Sequence, residues 1–401
     1  MNYTMKNTLF FILLLLLPCC IKAQQIDIRL DSNAYAAVLT CGAGDDFYTT
    51  FGHSALRICD TANNLDIVYN YGTFDFSTKH FYWKFALGKL NYCLARTSMQ
   101  HFMLEYVYEG RVVRQQRLNL SNQELNNLFV LLEQNYLPQY RFYRYDFFTD
   151  NCATRVRDII NASLDHRTAF APHDVPNAMS YRQMLRTCTD GSVANQWWQT
   201  GIDMLLGLRC DHRCNSMEYM FLPDNMLAQL DTLAVVPCRS AADSALVPFA
   251  QPHTILFDAD SSKKEDFQWW GSPLAVSIYI MLIVLVLTII SFFKGWKLAW
   301  LDTTLFSIMG IASLALIFFW AFSAYACTKW NLNLLWASPL FIYFVFRPNS
   351  SPRWLWWLQI GLLLAALAVG VCGVQRLPYF AYFIIFTLAI RIFSKIIKHK
   401  Q

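Results

Sequence analysis

Two residues of this chain have the types and placement expected of a nucleophile and its base. Cys152 follows an Asp-Asn pair and opens residues 152–160, where apolar side chains recur at helical spacing, so a helix is predicted to begin at the cysteine. The N–H groups and the positive dipole end at a helix N-terminus stabilise a thiolate. His53 opens a predicted strand and is the candidate general base. The pairing requires a fold that brings together residues far apart in sequence.

Asn70 is the candidate for a third, orienting residue. It lies on the strand that is predicted to pair with that of His53, and its amide could hold the imidazole, as an amide does in papain-like sites. A buried structural asparagine fits the same pattern. Other polar residues near these motifs are equally well explained as caps, turns or surface charges: Asp45, Asp46, Tyr48, Asp146, Asp150 and Arg155.

The cysteine count supports a competing interpretation. The eight cysteines between the N-terminal leader and the hydrophobic C-terminal third are Cys41, Cys59, Cys93, Cys152, Cys188, Cys210, Cys214 and Cys238. An even number in an exported domain is typical of disulfides, and four pairs would consume the candidate nucleophile. Cys210 and Cys214 with His212 could bind zinc, but no second cysteine pair at zinc-finger spacing follows. A disulfide or free thiols fit this segment better.

A β-hairpin and a helix must position the candidate pair. Alternating residues predict strands at 53–59 and 65–71, joined by a turn at Asn63-Asn64. Further strands are predicted at 34–41, 90–96 and 111–118. Ser121 and Glu124 form a capping-box pattern that predicts a helix over residues 122–135.

Composition and charge exclude several classes of protein. Of the 401 residues, 55% are hydrophobic and 15% are charged, which is too apolar for a disordered chain. The net charge is +5, but residues 24–272 carry 21 Lys and Arg against 27 Asp and Glu, whereas residues 273–401 carry 10 against 1. The excess of positive charge therefore lies between apolar segments, which indicates a membrane partner and no nucleic acid.

The chain divides into an exported part and a membrane part. Residues 1–23 have the layout of a signal peptide, although a retained helix or a lipoprotein signal at Cys19 or Cys20 are alternatives. Residues 24–240 are predicted to form one domain, 241–272 a linker, 273–397 five transmembrane helices and 398–401 a cytoplasmic tail. The third and fifth apolar stretches, at 330–346 and 377–390, are short, and the fifth must extend past Arg391, whose side chain could snorkel to the interface. If all five segments cross, eight basic residues lie on the side of the C-terminus and two on the opposite side, which places the C-terminus in the cytoplasm.

Five motifs resemble the Lnb family of Bacteroidota. They are TCGAGD at 40–45, TFGHSALR at 50–57, YNYGTFDF at 69–76, YEGR at 108–111 and YRYDFFTDNCATR at 143–155. The order of His53 before Cys152 also resembles circularly permuted NlpC/P60 proteins. The resemblance implies an α+β, papain-like (circularly permuted NlpC/P60-like) periplasmic domain followed by a five-helix transmembrane domain in the bacterial inner membrane. It also implies Cys152 as nucleophile and His53 as base.

The implied activity is lipoprotein N-acylation. A phospholipid would donate an acyl chain to Cys152 as a thioester, and the α-amine of the N-terminal cysteine of a diacylated apolipoprotein would accept it, without a metal or other cofactor. Two alternatives stay open. The same pair could hydrolyse cell-wall peptides or phospholipid esters, or the domain could be a non-enzymatic, disulfide-bonded binding module on a membrane scaffold.

Overall fold

A computed structural model provides the architecture of the chain. It describes residues 29–46, 48–165, 168–175, 177–189, 192–235, 246–258, 269–348 and 350–398. The predicted signal peptide at 1–23 lies outside the described residues.

The N-terminal domain is built on an antiparallel sheet in which the described residues form seven strands. In chain order the strands of this sheet are β1 (Tyr35–Cys41), β2 (His53–Asp60), β3 (Leu65–Thr73), β4 (Asn91–Ser98), β5 (Val113–Arg117), β6 (Phe142–Arg144) and β9 (Thr254–Phe257). Two short strands, β7 (Ala234–Val235) and β8 (Val247–Pro248), pair separately. The order across the large sheet is β6-β4-β3-β2-β1-β5-β9, which places β2 and its neighbours at the centre.

The predicted hairpin is confirmed. β2 and β3 pair from Leu56 opposite Tyr69 to Asp60 opposite Leu65. Asn64 turns the chain with a φ of 51°, and the Asp60 carboxylate accepts backbone N–H bonds from Ala62 and Asn63. Asparagine tolerates this left-handed conformation better than most residues, so the local sequence sets the register that carries His53 and Asn70.

Two helices cover one face of the sheet. The domain contains α1 (Phe81–Ala86), α2 (Met99–Tyr108), α3 (Asn122–Tyr136), α4 (Cys152–Ser163), α5 (Tyr181–Cys188), α6 (Val193–Leu205), α7 (Ser216–Tyr219) and α8 (Pro223–Thr232). The predicted capping box between Ser121 and Glu124 begins α3. Leu128 of α3 and Val156 of α4 are fully buried against Leu56 of the sheet. Burial of such a side chain contributes about 2 kcal/mol, so this core holds α4 firmly in place.

The sheet of the exported domain also takes a strand from beyond residue 240. Strand β9 lies within the predicted linker 241–272, yet it completes the sheet by pairing with β5, with Phe257 opposite Val113. Ile255 on this strand is 56% exposed, so the four-residue edge strand lacks the alternation of apolar and polar residues that marks a half-buried strand.

Four helices in the described part of the chain are long and apolar enough to cross a membrane. They are α9 (Pro273–Lys294), α10 (Ala299–Phe322), α12 (Arg353–Val371) and α13 (Tyr379–Lys398). The fifth predicted span is confirmed as α13, which continues past Arg391. The third predicted span is not one helix: it contains a 3₁₀ turn at Leu332–Leu335 and a seven-residue helix, α11 (Leu340–Phe346). Trp330 has a φ of 53° and Pro339 precedes α11, and both interrupt regular helix.

The broken third segment contacts the exported domain at its start and α12 at its end. At its start, the Asn331 side chain donates to the carbonyl oxygen of Met204 in the exported domain at 2.7 Å. At its end, the Phe344 ring stacks on Trp356, near the start of α12, with centroids 3.8 Å apart.

The Arg391 side chain is held by side chains of two other membrane helices. Its side chain is buried and donates to Asp302 Oδ1 at 2.7 Å and to Thr288 Oγ1 at 2.9 Å. Lys395 Nζ lies 2.9 Å from Asp302 Oδ2. Asp302 in the first turn of α10 therefore supplies the countercharge that offsets the cost of burying the Arg391 guanidinium.

The exported domain is docked directly on loops between the membrane helices. The Gly207 N–H donates to the Cys327 carbonyl at 2.7 Å, and the Arg186 guanidinium donates to the Leu377 carbonyl at 3.1 Å. A Cβ on Gly207 would lie 1.8 Å from the Lys329 carbonyl oxygen. Only glycine permits this approach, so the two parts meet in one defined orientation.

Candidate active site

Cys152 is the first residue of α4, as the sequence predicts. Asn151 caps the helix: its side chain accepts the Thr154 N–H at 2.9 Å, and Thr154 Oγ1 accepts the Asn151 N–H at 2.8 Å. The Asn151 amide also donates to the carbonyls of Phe147 and Phe221. These bonds fix the first turn of α4 and hold the thiol, which is 6% exposed, at the positive end of the helix.

His53 reaches Cys152 because of the backbone that precedes it. Gly52 has a φ of 73°, and a Cβ at this position would lie 2.8 Å from the Cys41 carbonyl oxygen, so the turn into β2 requires glycine. The imidazole of His53 hydrogen-bonds with the thiol of Cys152. The structure thus brings together the two residues that the sequence singled out.

Asn70 completes the row of three side chains. His53 Nε2 lies 2.5 Å from Asn70 Oδ1. An amide oxygen can only accept a hydrogen bond, so Nε2 carries the proton and the lone pair of Nδ1 is left for the Cys152 thiol. This is the tautomer that a general base needs.

The surroundings of the pair favour its ionised form. Burial acts to raise the pKa of the Cys152 thiol, but the His53 charge and hydrogen bond, with backbone bonds from Ser54 and Ala153, lower that pKa below its usual value. Burial acts to lower the pKa of His53, but the Cys152 thiolate and the Asn70 hydrogen bond raise it. Both shifts stabilise the thiolate–imidazolium form of the pair relative to an isolated thiol and imidazole.

Sequence reasoning missed two residues beside the thiol. Gly72, with a φ of 88°, lies at an irregularity between β3 and β4, and a Cβ there would be 3.6 Å from Cys152 Cβ and 3.3 Å from the Tyr145 ring. The Tyr143 hydroxyl is buried and has no hydrogen-bond partner within the described part of the chain. Burial raises the pKa of Tyr143, so this hydroxyl keeps its proton and can donate. The Tyr-x-Tyr pattern ahead of Cys152 was the available signal.

The other polar candidates have structural partners. Asp146 accepts the backbone N–H groups of Phe148 and Thr149 in a turn. Arg155 pairs with Asp150 at 2.5 Å and stacks on the Tyr143 ring at 3.7 Å. The remaining three lie in the loop between β1 and β2, where Asp46 accepts a hydrogen bond from the Tyr48 hydroxyl; these candidates are Asp45, Asp46 and Tyr48.

The competing interpretation with four disulfides does not fit the free thiols of the structure. Six of the eight cysteines of the exported part carry free thiols in the structure: Cys41, Cys59, Cys93, Cys152, Cys210 and Cys214. Cys238 lies outside the described residues. Burial raises the pKa of Cys41 and of Cys210 to about 12, opposite to the direction at Cys152. Cys152 is therefore chemically distinct from these two buried thiols.

A cluster of His212, Cys214 and Glu218 has ligand atoms within 4.8 Å of one another. Its members are already engaged: His212 Nδ1 contacts the Arg209 carbonyl and Nε2 contacts Glu218 Oε1. Glu218 Oε2 also accepts the Asn215 N–H in a capping box. The cluster therefore ties α7 to the preceding turn.

Comparison with known families identifies both halves of the chain. Residues 22–187 match the Lnb N-terminal periplasmic domain, and residues 264–401 match the Lnb transmembrane domain. No curated protein matches the chain, and no solved structure matches it. The first match spans His53, Asn70 and Cys152, and the second spans the four long apolar helices. The chain belongs to the Lnb family, as a membrane protein with a periplasmic domain and a role related to lipoprotein N-acylation.

Proposed function

We propose that the protein transfers a fatty acyl chain from a phospholipid to the N-terminal α-amine of diacylated lipoproteins through a thioester on Cys152. The observation that carries the proposal is the contact of Cys152 with His53, itself oriented by Asn70, within the matched Lnb periplasmic domain. A strand histidine that faces a cysteine at a helix N-terminus is a papain-like arrangement, and it supports acyl transfer.

The first half-reaction forms the acyl-enzyme. In the thiolate–imidazolium form of the pair, the Cys152 thiolate attacks the ester carbonyl carbon of the phospholipid. As the C–S bond forms and the ester C–O bond breaks, the imidazolium returns the proton to the leaving glycerol oxygen, and a lysophospholipid departs.

Backbone N–H groups at the start of α4 are available for the oxyanion of the tetrahedral intermediate. The N–H groups of Ser54 and Ala153 already stabilise the thiolate. The Tyr143 hydroxyl supplies a further donor beside them.

The second half-reaction transfers the chain to the lipoprotein. The neutral α-amine of the diacylglyceryl cysteine attacks the thioester carbonyl and loses a proton to His53. The C–N bond forms, the C–S bond breaks, and Cys152 leaves as the thiolate of the resting ion pair. Amines attack thioesters well, which favours transfer over hydrolysis.

The membrane helices hold the domain where both substrates lie. Donor and acceptor are lipid-anchored, so a docked domain meets them at high effective concentration. The distribution of Lys and Arg supports an inner-membrane protein with its N-terminal domain in the periplasm and its C-terminus in the cytoplasm. That orientation requires the broken third segment to count as a crossing.

Mass spectrometry provides the test. Full-length protein in phospholipid vesicles should gain one acyl group on Cys152, and addition of a diacylated lipopeptide should discharge it as an N-acyl amide. Cys152→Ala should abolish both products, with Cys93→Ala as the matched control. Release of free fatty acid without amide would identify a hydrolase, and full activity of Cys152→Ala would reject thiol catalysis.

A further inference from the structure

An exposed aromatic segment lies between the catalytic domain and the membrane helices. Its rings belong to Phe74, Phe76, Phe81, Tyr82, Trp83 and Phe85. Tyr82 is 81% exposed, Phe76 and Trp83 are each 58% exposed, and α1 contains no buried residue. Large apolar side chains crowded on a surface mark a site of interaction.

Contacts with α10 place this aromatic segment at the membrane surface. The Trp83 ring packs on Phe318 with centroids 5.3 Å apart. The Tyr325 hydroxyl donates to the Phe85 carbonyl at 3.0 Å, and the Ala324 N–H donates to the Leu87 carbonyl at 2.8 Å. Phe318 lies four residues before the end of α10, about 6 Å along the helix axis. The exposed rings therefore lie at the level where a membrane-spanning helix ends.

A row of rings continues from the aromatic segment to the nucleophile. Phe85 contacts Phe147 at a centroid distance of 6.0 Å, and Phe147 contacts Tyr145 at 5.7 Å. The edge of the Tyr145 ring lies beside Gly72, which adjoins Cys152. This row gives an apolar lining from the exposed aromatic segment to the sulfur.

The charge around the aromatic segment suits a phospholipid headgroup. Lys79, His80, Lys84 and Lys89 fall within residues 74–90, where the one acidic residue is Asp75, whose carboxylate accepts hydrogen bonds from Ser77. Aromatic rings flanked by lysines are typical of segments that lie in the headgroup region, where the rings enter the acyl boundary and the lysines meet phosphate.

We propose that the aromatic segment is the docking site of the donor phospholipid. The phosphate faces the lysines, and the ester is drawn along Phe85, Phe147 and Tyr145 to Cys152. The proposal rests on the proposed function and assigns its donor site. It commits to a phospholipid of the bilayer that surrounds α10, because the exposed rings are continuous with that helix.

Two acyl donors separate docking from chemistry. Full-length protein carrying Tyr82→Ala and Trp83→Ala is compared with wild type, once with phospholipid vesicles and once with p-nitrophenyl acetate, a soluble ester. The double variant should lower the rate of Cys152 acylation from vesicles at least tenfold and leave the reaction with the soluble ester within twofold. Tyr140→Ala, an aromatic side chain 63% exposed after α3, is the matched control and should change neither rate.

The outcomes distinguish this inference from the proposed function. Equal vesicle rates for the double variant and wild type overturn the docking site while the acyl-enzyme stands. A parallel loss with both donors also overturns it, because the change then acts on the catalytic centre. Wild-type protein that acquires no acyl group from either donor rejects the proposed function itself. The single variant Trp83→Phe should keep the wild-type acylation rate with vesicles, since it keeps a ring against Phe318.

Discussion

The His53 Nε2 atom lies 2.5 Å from the Asn70 Oδ1 atom, on neighbouring strands of one sheet. This bond selects the tautomer whose other nitrogen faces Cys152, and it supports the imidazolium once the thiol has ionised. We therefore propose that Asn70 acts through His53 as a positioning residue.

Loss of Asn70 should make His53 a poorer general base and its imidazolium form less stable. For Asn70→Ala we expect the acylation rate to fall about 10- to 100-fold, less than the roughly 10²- to 10⁴-fold of a whole general-base contribution, because His53 itself remains. The pH at which iodoacetamide alkylates Cys152 at half its maximal rate should rise, because a less stable imidazolium stabilises the thiolate less. Asn122→Ala, an exposed asparagine at the start of α3, is the control. An unchanged alkylation profile would show that Asn70 is merely structural.

The acylation rate should depend on pH as a bell. The rate rises as Cys152 loses its proton. The midpoint of this rise should lie below the usual pKa of a thiol, because the pKa of Cys152 is lowered. The acylation rate declines again as His53 loses its proton. The midpoint of this decline should lie above the usual pKa of an imidazole, because the pKa of His53 is raised. The two pKa values belong to the coupled pair. Steady-state acylation of the soluble ester across pH measures both limbs, and a single rise at the pH of an ordinary thiol contradicts the ion pair.

Gly72 should matter to catalysis beyond its effect on folding. In Gly72→Ala the positive φ costs about 1 kcal/mol of unfolding free energy. The new methyl group crowds Cys152 and Tyr145, so the acylation rate should fall at least tenfold. Gly110→Ala is a matched control, since its φ is 62° and no described atom lies within 4 Å of the added Cβ. Chemical denaturation and acylation assays of both variants separate strain from crowding, and equal activities would remove Gly72 from the site.

Gly207 should be required for docking of the two domains. The added Cβ of Gly207→Ala cannot coexist with the Lys329 carbonyl, so the hydrogen bond to Cys327 must break. We expect a lower Tm and faster proteolysis between the domains. Gly201→Ala, where no described atom lies within 4 Å, should instead stabilise α6 by about 1 kcal/mol. Equal Tm values for the two variants would show that the domains do not depend on this contact.

The features that the sequence predicted are the local ones. The caps of α3 and α4 and the Asn64 turn are decided by neighbouring residues, and so the helix start at Cys152 was visible without a fold. Pairings over long separations left no local trace. Asp302 meets Arg391 across 89 residues, and the irregularity that turns Gly72 toward Cys152 depends on the register between β3 and β4. The third segment departs from a single helix for a similar reason, since the Asn331 and Asn333 side chains donate to backbone carbonyls of the exported domain.

The Gly207 contact also limits the length of acyl chain that can leave the bilayer and reach Cys152. In the proposed acyl transfer, a domain docked by this contact holds the Cys152 sulfur at a fixed height above the bilayer, so the acyl chain must leave the leaflet to reach it. Each methylene group that leaves the bilayer for water costs about 0.8 kcal/mol, and only a ring alongside can offset that cost. The length of the aromatic lining therefore limits the number of acyl carbons that can leave the bilayer, so the docked geometry should select for chain length.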